Sequence, residues 1–464
     1  MSGTIADNRT WTNDKTYVVT NNVGLAPGCT LTIEAGTTVK FNGNYSLNLG
    51  GTLIAQGTSE QPISFEPYST SITWTRVYFD NSSLDAQTTA ECEYISGNIL
   101  QHVTVSGASG GIGCSSATPY LDHVTTDNGG VTCSLGDTDL WVKDSVIIGN
   151  FDISQGGSLP EHILRVETSG GNISLPASQI VESNLRGQVN IIGAGQVTNT
   201  ITSGLSISGM AEVVDVTAYG SIGIGNGQVT NSITQGGGIS VGDNSLVSNC
   251  TVNGGGISAG SGSMITQNSI ENKGGTGIAN SGTSSITFNR VIGMEQGIVT
   301  SRGDVENNLI SKTTEIGIRP GMASVRNNTL VMNEGNSVFL DQIPSAFQGN
   351  NFEFNTGEYD VYVQVLVTTT PAITATYNWW GTTDLNQIRQ RTFDFYDEYN
   401  FAALLVEPLL ESPSQNAPGY VRSVTLDPAS PVGIQTVSFT IEFSRPMDAS
   451  IAPQLACKSN MIMS

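Results

Sequence analysis

VTNTI at 197–201, VTNSI at 229–233 and VENNL at 305–309 are variants of one phrase, and reading that phrase decides the fold. An apolar residue is followed by a variable one, a short polar one, a second variable one, and then an apolar residue or Thr. Thirteen phrases of this kind begin between Leu100 and Val325, among them LQHVT at Leu100, LDHVT at Leu121, VKDSV at Val142, ILRVE at Ile163 and VESNL at Val181. Their starts are 16 to 21 residues apart. A second beat, Gly-Ile, recurs inside the later repeats, as at Gly223-Ile224, Gly256-Ile257 and Gly317-Ile318. Two short apolar beats per repeat, separated by Gly and Asn, predict short strands joined by tight turns.

A period near 20 is the mark of a solenoid, because one repeat cannot bury its own apolar face and must stack on its neighbours. The LxxLxL phrase of leucine-rich repeats is missing, which leaves a parallel β-helix. Coils stacked at about 4.8 Å give the thirteen anchored repeats a length on the order of 58 Å. The polar residue of each phrase falls where the chain turns between strands. Asn199, Asp215, Asn231, Asn249, Gln267, Asn307 and Asn327 hold that position, and Asn tolerates the left-handed conformation such a turn needs. They are expected to form a hydrogen-bonded ladder along the rod, broken once at Phe288.

Composition agrees with an all-β chain. Charged residues make up 12% of the 464, against the usual quarter or so, while Gly reaches 54. A net charge of −22 with only six Lys argues against a nucleic-acid partner. No apolar run approaches the roughly 20 residues of a membrane span, and Met1–Thr10 lacks the layout of a signal peptide. The six Cys include no CxxC pair. Cys114 and Cys133 lie one repeat apart, either as stacked buried thiols, the favoured reading, or as a disulfide.

At the N-terminal end, TLTIEAGTTVKFNGNYSLNLGGTLIAQGTSEQPISF (30–65) resembles the opening of secreted or cell-surface right-handed parallel β-helix proteins of bacteria and archaea. Near the other end, ATYNWWGTTDLNQIRQRTFDFYDEYNFAALLVEPLL (375–410) resembles their closing coil. The expected organisation is a lead-in over 1–15, a right-handed β-helix with capped ends over 16–411, a linker over 412–420, and a truncated Ig-like β-sandwich segment over 421–464. Asn378, Trp379, Trp380 and Gly381 are expected in the terminal cap, with Phe393, Phe395, Tyr396, Tyr399 and Phe401 helping to cover the last coil, and a short helix is expected at Leu385–Thr392. The resemblance implies an extracellular or cell-surface location and a polysaccharide or surface glycan as partner; no membrane insertion is expected, and the chain is expected to be a monomer.

Two groups of residues carry possible chemistry. His102, His123, Asp144 and Arg165 hold the polar turn position in four successive repeats. With Lys143 they are candidate catalytic residues for a uronic-acid sugar, and otherwise a charged continuation of the ladder, which is the favoured reading. Asp122, Asp127, Asp137 and Asp139 are candidate Ca²⁺ ligands, since Asp-rich loops can hold that ion. Many β-helix polysaccharide lyases combine Ca²⁺ with a Lys or Arg base. The phrases of polygalacturonases are missing, however, and WVKD at 141–144 only loosely echoes a pectate lyase. The expected function is therefore a carbohydrate-associated binding or display rod, with a lyase or hydrolase of acidic polysaccharide as the alternative and a stalk or adhesin without sugar binding as a third reading.

Overall fold

The computed structural model describes residues 1–89, 92–134, 140–154, 161–367, 372–427 and 438–446. They wind into a parallel β-helix of about 17 turns. Within one coil, Leu246–Ser248, Thr251–Asn253 and Ile257–Ala259 lie on a first, second and third face. Each pairs in parallel with its counterpart in the next coil, Met264–Thr266, Ser269–Glu271 and Thr276–Asn280.

The apolar anchors of the phrase form one inward column. Leu100 aligns with Leu121, Leu121 with Val142 and Val142 with Ile163, and the column runs on through Val213, Val247 and Ile286 to Val325. One anchor differs from the expected phrase: Ile180, not Val181, aligns with Ile163 and Val197. Strand alternation fixes the choice, since the neighbour of an inward residue points outward. The inward side chains merge into a single core from Ile5 to Val406. Each fully buried Val, Leu or Ile contributes roughly 1.5–3 kcal/mol.

The stretch expected as a lead-in is already part of a complete coil. Gly3–Ile5, Arg9–Trp11 and Tyr17–Val19 pair with the strands at 23–25, 31–33 and 39–41, and Trp11 is fully buried. The seven turn residues from Asn199 to Asn327 all have φ between 48° and 58°, but their side chains face outward. The hydrogen-bonded ladder lies one residue later. Asn268, Asn289, Asn308, Asn328, Asn350 and Asn378 are buried, and each of the first five donates its side-chain amide to the next Asn Oδ1 at 3.0 Å. Each of these five also donates its backbone N–H to the same oxygen, at 2.9–3.0 Å. A left-handed residue turns its own side chain to solvent and its successor's into the rod.

Asn378 is thus the last rung of that ladder. Beside it, Trp380 is 5% exposed and stacks on Phe352 at 4.8 Å, while Trp379 is half-buried and Gly381 takes a positive φ. Phe393 stacks on Tyr362 at 4.6 Å. Phe395, Tyr396 and Tyr399 are instead exposed, so they do not cover the core. The helix forms at Leu385–Gln390, capped by Asp384, whose carboxylate accepts from Asn386 N at 2.9 Å.

Cys114 and Cys133 align on adjacent coils and form a disulfide, in place of the favoured stacked thiols. The segment with linker composition lies against the last coils: Ser414 exchanges hydrogen bonds with Asn351, and Tyr420 donates to Glu353 at 2.7 Å. Beyond it, Val421–Asp427 and Ser438–Phe443 form an antiparallel pair.

Substituting Asn308→Ala leaves buried backbone and side-chain donors without an acceptor and is expected to cost about 2–3 kcal/mol. Asn307→Ala, at the outward corner, should cost about 1 kcal/mol or less. Urea denaturation followed by circular dichroism compares the two; equal losses would contradict the ladder's placement.

Candidate functional site

The first candidate group lies at a corner of the rod. His102, His123, Asp144 and Arg165 occupy the left-handed position of four successive coils, with φ between 49° and 54°. They form a line: the His102 and His123 rings are 4.3 Å apart, and Arg165 Nη2 donates to Asp144 Oδ2 at 2.8 Å. Arg165 lowers the Asp144 pKa below its ordinary 3.8, chiefly through this hydrogen bonding, and its own is raised in return. Lys143 stands beside the line, paired with Glu93 at 3.1 Å.

Three ligand atoms of Asp122, His123 and Asp144 lie within 4.8 Å of one another, yet the set does not suit Ca²⁺. That ion takes six to eight oxygens. Here one donor is an imidazole, Asp144 is neutralised by Arg165, and both Asp122 oxygens accept hydrogen bonds or contacts, from Gln101 at 2.9 Å and His123 at 2.7 Å. Asp127 is engaged elsewhere, accepting from Gly107 N at 2.7 Å. Asp137 and Asp139 lie outside the described residues.

A different set of side chains lines an open surface. On the first face, the residue just before each apolar anchor points outward, and these residues align coil by coil. Trp141 pairs in register with His162, His162 with Gln179, and Gln179 with Gln196. The column continues through Glu212 and Gln228, then Leu246 and Met264. The Trp141 and His162 rings stack at 3.5 Å, nearly parallel at 6°. His162 Nδ1 is 3.2 Å from Gln179 Oε1. Gln179 donates to Gln196 at 3.4 Å, and Gln196 and Gln228 both donate to Glu212, at 3.2 and 2.9 Å.

Beside this column runs a cleft of about 900 Å³, bounded by residues from Ala177 to Met264. Short coils create it. The steps between anchors from Ile163 to Val229 are 17, 17, 16 and 16 residues, so little chain is left for loops over the face. Ile201–Val214 even runs as one continuous strand across all three faces. Gly227 adds to the hollow. It has φ 120°, and a Cβ there would meet Ala211 O at 2.0 Å. At the other end the excursion before residue 99 folds over the face, with Tyr94 against Tyr120 at 5.8 Å.

This column lies outside the turn positions where the sequence pattern places charged side chains. Its signal was nonetheless present, as the Gln, Glu or His immediately before the anchor in QIV, QVT, EVV and HIL. Comparison with protein-family models, with curated proteins and with solved structures finds no match to this chain.

Because its folded pKa is lowered, Asp144 stabilises the fold while ionised; that contribution is present above about pH 4 and is lost as pH falls through the lowered value. Asp144→Asn should therefore melt below wild type at neutral pH, with the gap closing in acid. Melting curves from pH 7 to pH 2.5 check this, and a gap independent of pH would contradict it.

Proposed function

We propose that the rod is a carbohydrate-binding and display module working outside the cell or on its surface. The observation that carries this reading is the outward column from Trp141 to Gln228, which sets a stacked ring pair at the head of a hydrogen-bonded series of amides and one carboxylate. Sugars are recognised by that combination, since ring C–H faces rest on apolar or aromatic groups while hydroxyls both donate to and accept from planar polar side chains. The column stands beside an open cleft rather than a closed pocket, which suits a chain more than a monosaccharide.

Catalysis is the weaker reading. A lyase acting at the corner stack needs a Lys or Arg side chain free to take a proton from the sugar, but Lys143 and Arg165 are engaged by Glu93 and Asp144. The antiparallel pair after Tyr420 is read as belonging to an Ig-like module of surface proteins.

The test is affinity electrophoresis against gels cast with soluble polysaccharides, using wild type and Trp141→Ala. Wild type should be retarded by at least one polymer, and the variant should bind it at least about tenfold more weakly, a loss of about 1.4 kcal/mol, at an unchanged melting temperature. Equal retardation of the two would reject this face, and retardation by no polymer would favour a stalk.

A further inference from the structure

Resting on the carbohydrate reading, we infer that the ligand of the first face is an uncharged, extended polysaccharide lying along the rod axis, one pyranose per coil, and that acidic polymers are excluded. Charge is the first reason. Among the described residues bounding the cleft there is no Lys, Arg or His, and Glu212 is the one charged side chain. Both Glu212 oxygens accept from flanking amides, Gln196 and Gln228, so the carboxylate is hydrogen-bonded without being neutralised. A uronate laid on the stretch from Gln179 to Met264 would meet that charge at close range, on a chain of net charge −22, with no cationic side chain among the described residues that bound the cleft.

The apolar strip is the second reason. Leu246 and Met264 extend the column beyond Gln228, and Met210 and Met264 are 67% and 50% exposed. Apolar side chains left open beside a row of amides match the alternating C–H and hydroxyl character of a neutral pyranose chain. Flexible thioethers also adapt to an uneven surface.

Periodicity is the third. The column repeats once per coil, at the strand spacing of about 4.8 Å, and an extended 1,4-linked pyranose chain advances by nearly the same distance per sugar. Each sugar then meets an equivalent side chain, so affinity should grow with chain length until the column is filled. Because the face lies on the flat of the sheet, its backbone hydrogen bonds are already made between coils. A peptide therefore gains no strand pairing there.

The experiment is titration calorimetry with cello-, manno- and xylo-oligosaccharides from disaccharide to decasaccharide, and with oligogalacturonates of the same lengths, at low and high salt. At least one neutral series should bind with affinity rising beyond the tetrasaccharide, unchanged by salt within about threefold, while oligogalacturonates bind at least about tenfold more weakly at low salt. Glu212→Gln removes the charge, and the ratio of neutral to oligogalacturonate affinity should fall at least about threefold, whatever the change in neutral affinity itself. Oligogalacturonates binding more tightly than every neutral series, or affinity levelling off at the disaccharide, would overturn the inference; the carbohydrate reading survives either result if Trp141→Ala abolishes binding. Binding of none of the sugars would overturn both.

Discussion

Every coil of this rod must turn a corner inside a structure that has no water to offer at its centre. From His102 onward a single left-handed residue bends the chain at the corner between the first and second faces, and the backbone N–H that follows it points where no strand partner can reach. A side-chain oxygen from the next coil supplies the acceptor. Val124 N is met by Ser145 Oγ, Val166 N by Ser183 Oγ and Val216 N by Ser232 Oγ. From Cys250 onward the acceptor is an Asn, whose side-chain amide also donates a hydrogen bond to the next Asn. A buried N–H left unmade costs its full desolvation, so coil stacking and corner chemistry are one requirement. The rung at coil n depends on the residue type at coil n + 1.

That dependence explains how much of the fold the sequence showed. The anchors recur because each must fill one place in a shared core, and the left-handed residues recur because each coil needs the same bend. Both leave a period in residue type. The buried Asn rungs were harder to see, because they stand next to outward residues that are often Asn as well, as in Asn307-Asn308 and Asn327-Asn328. Composition cannot tell two adjacent amides apart; the direction of the Cα–Cβ bond does. The single misplaced anchor, Val181 for Ile180, has the same origin, two β-branched residues side by side with only one facing in.

The surface tells a similar story. Residues that differ in charge along a line were the visible candidates, and His102, His123, Asp144 and Arg165 indeed lie in that line. Their location at an outward corner, with the one salt bridge closed within the stack, makes them part of the rod's exterior. The column from Trp141 to Gln228 is harder to read in the sequence because its members are mostly neutral amides, common anywhere in such a chain. What distinguishes them is position: from Gln179 to Gln228 they sit where the shortest coils leave the first face bare.

The amino-acid sequence by itself determined the repeat, its length, the residues that turn each corner and the all-β class, because these follow from periodic burial and local backbone preference, which act over a few residues at a time. Tertiary structure decided which of two neighbouring side chains faces the core, that Cys114 meets Cys133, and which outward residues stand together over an open face. Those outcomes depend on the registration of one coil on the next, a relation between residues at least 16 positions apart whose side-chain directions are set only when the coils stack.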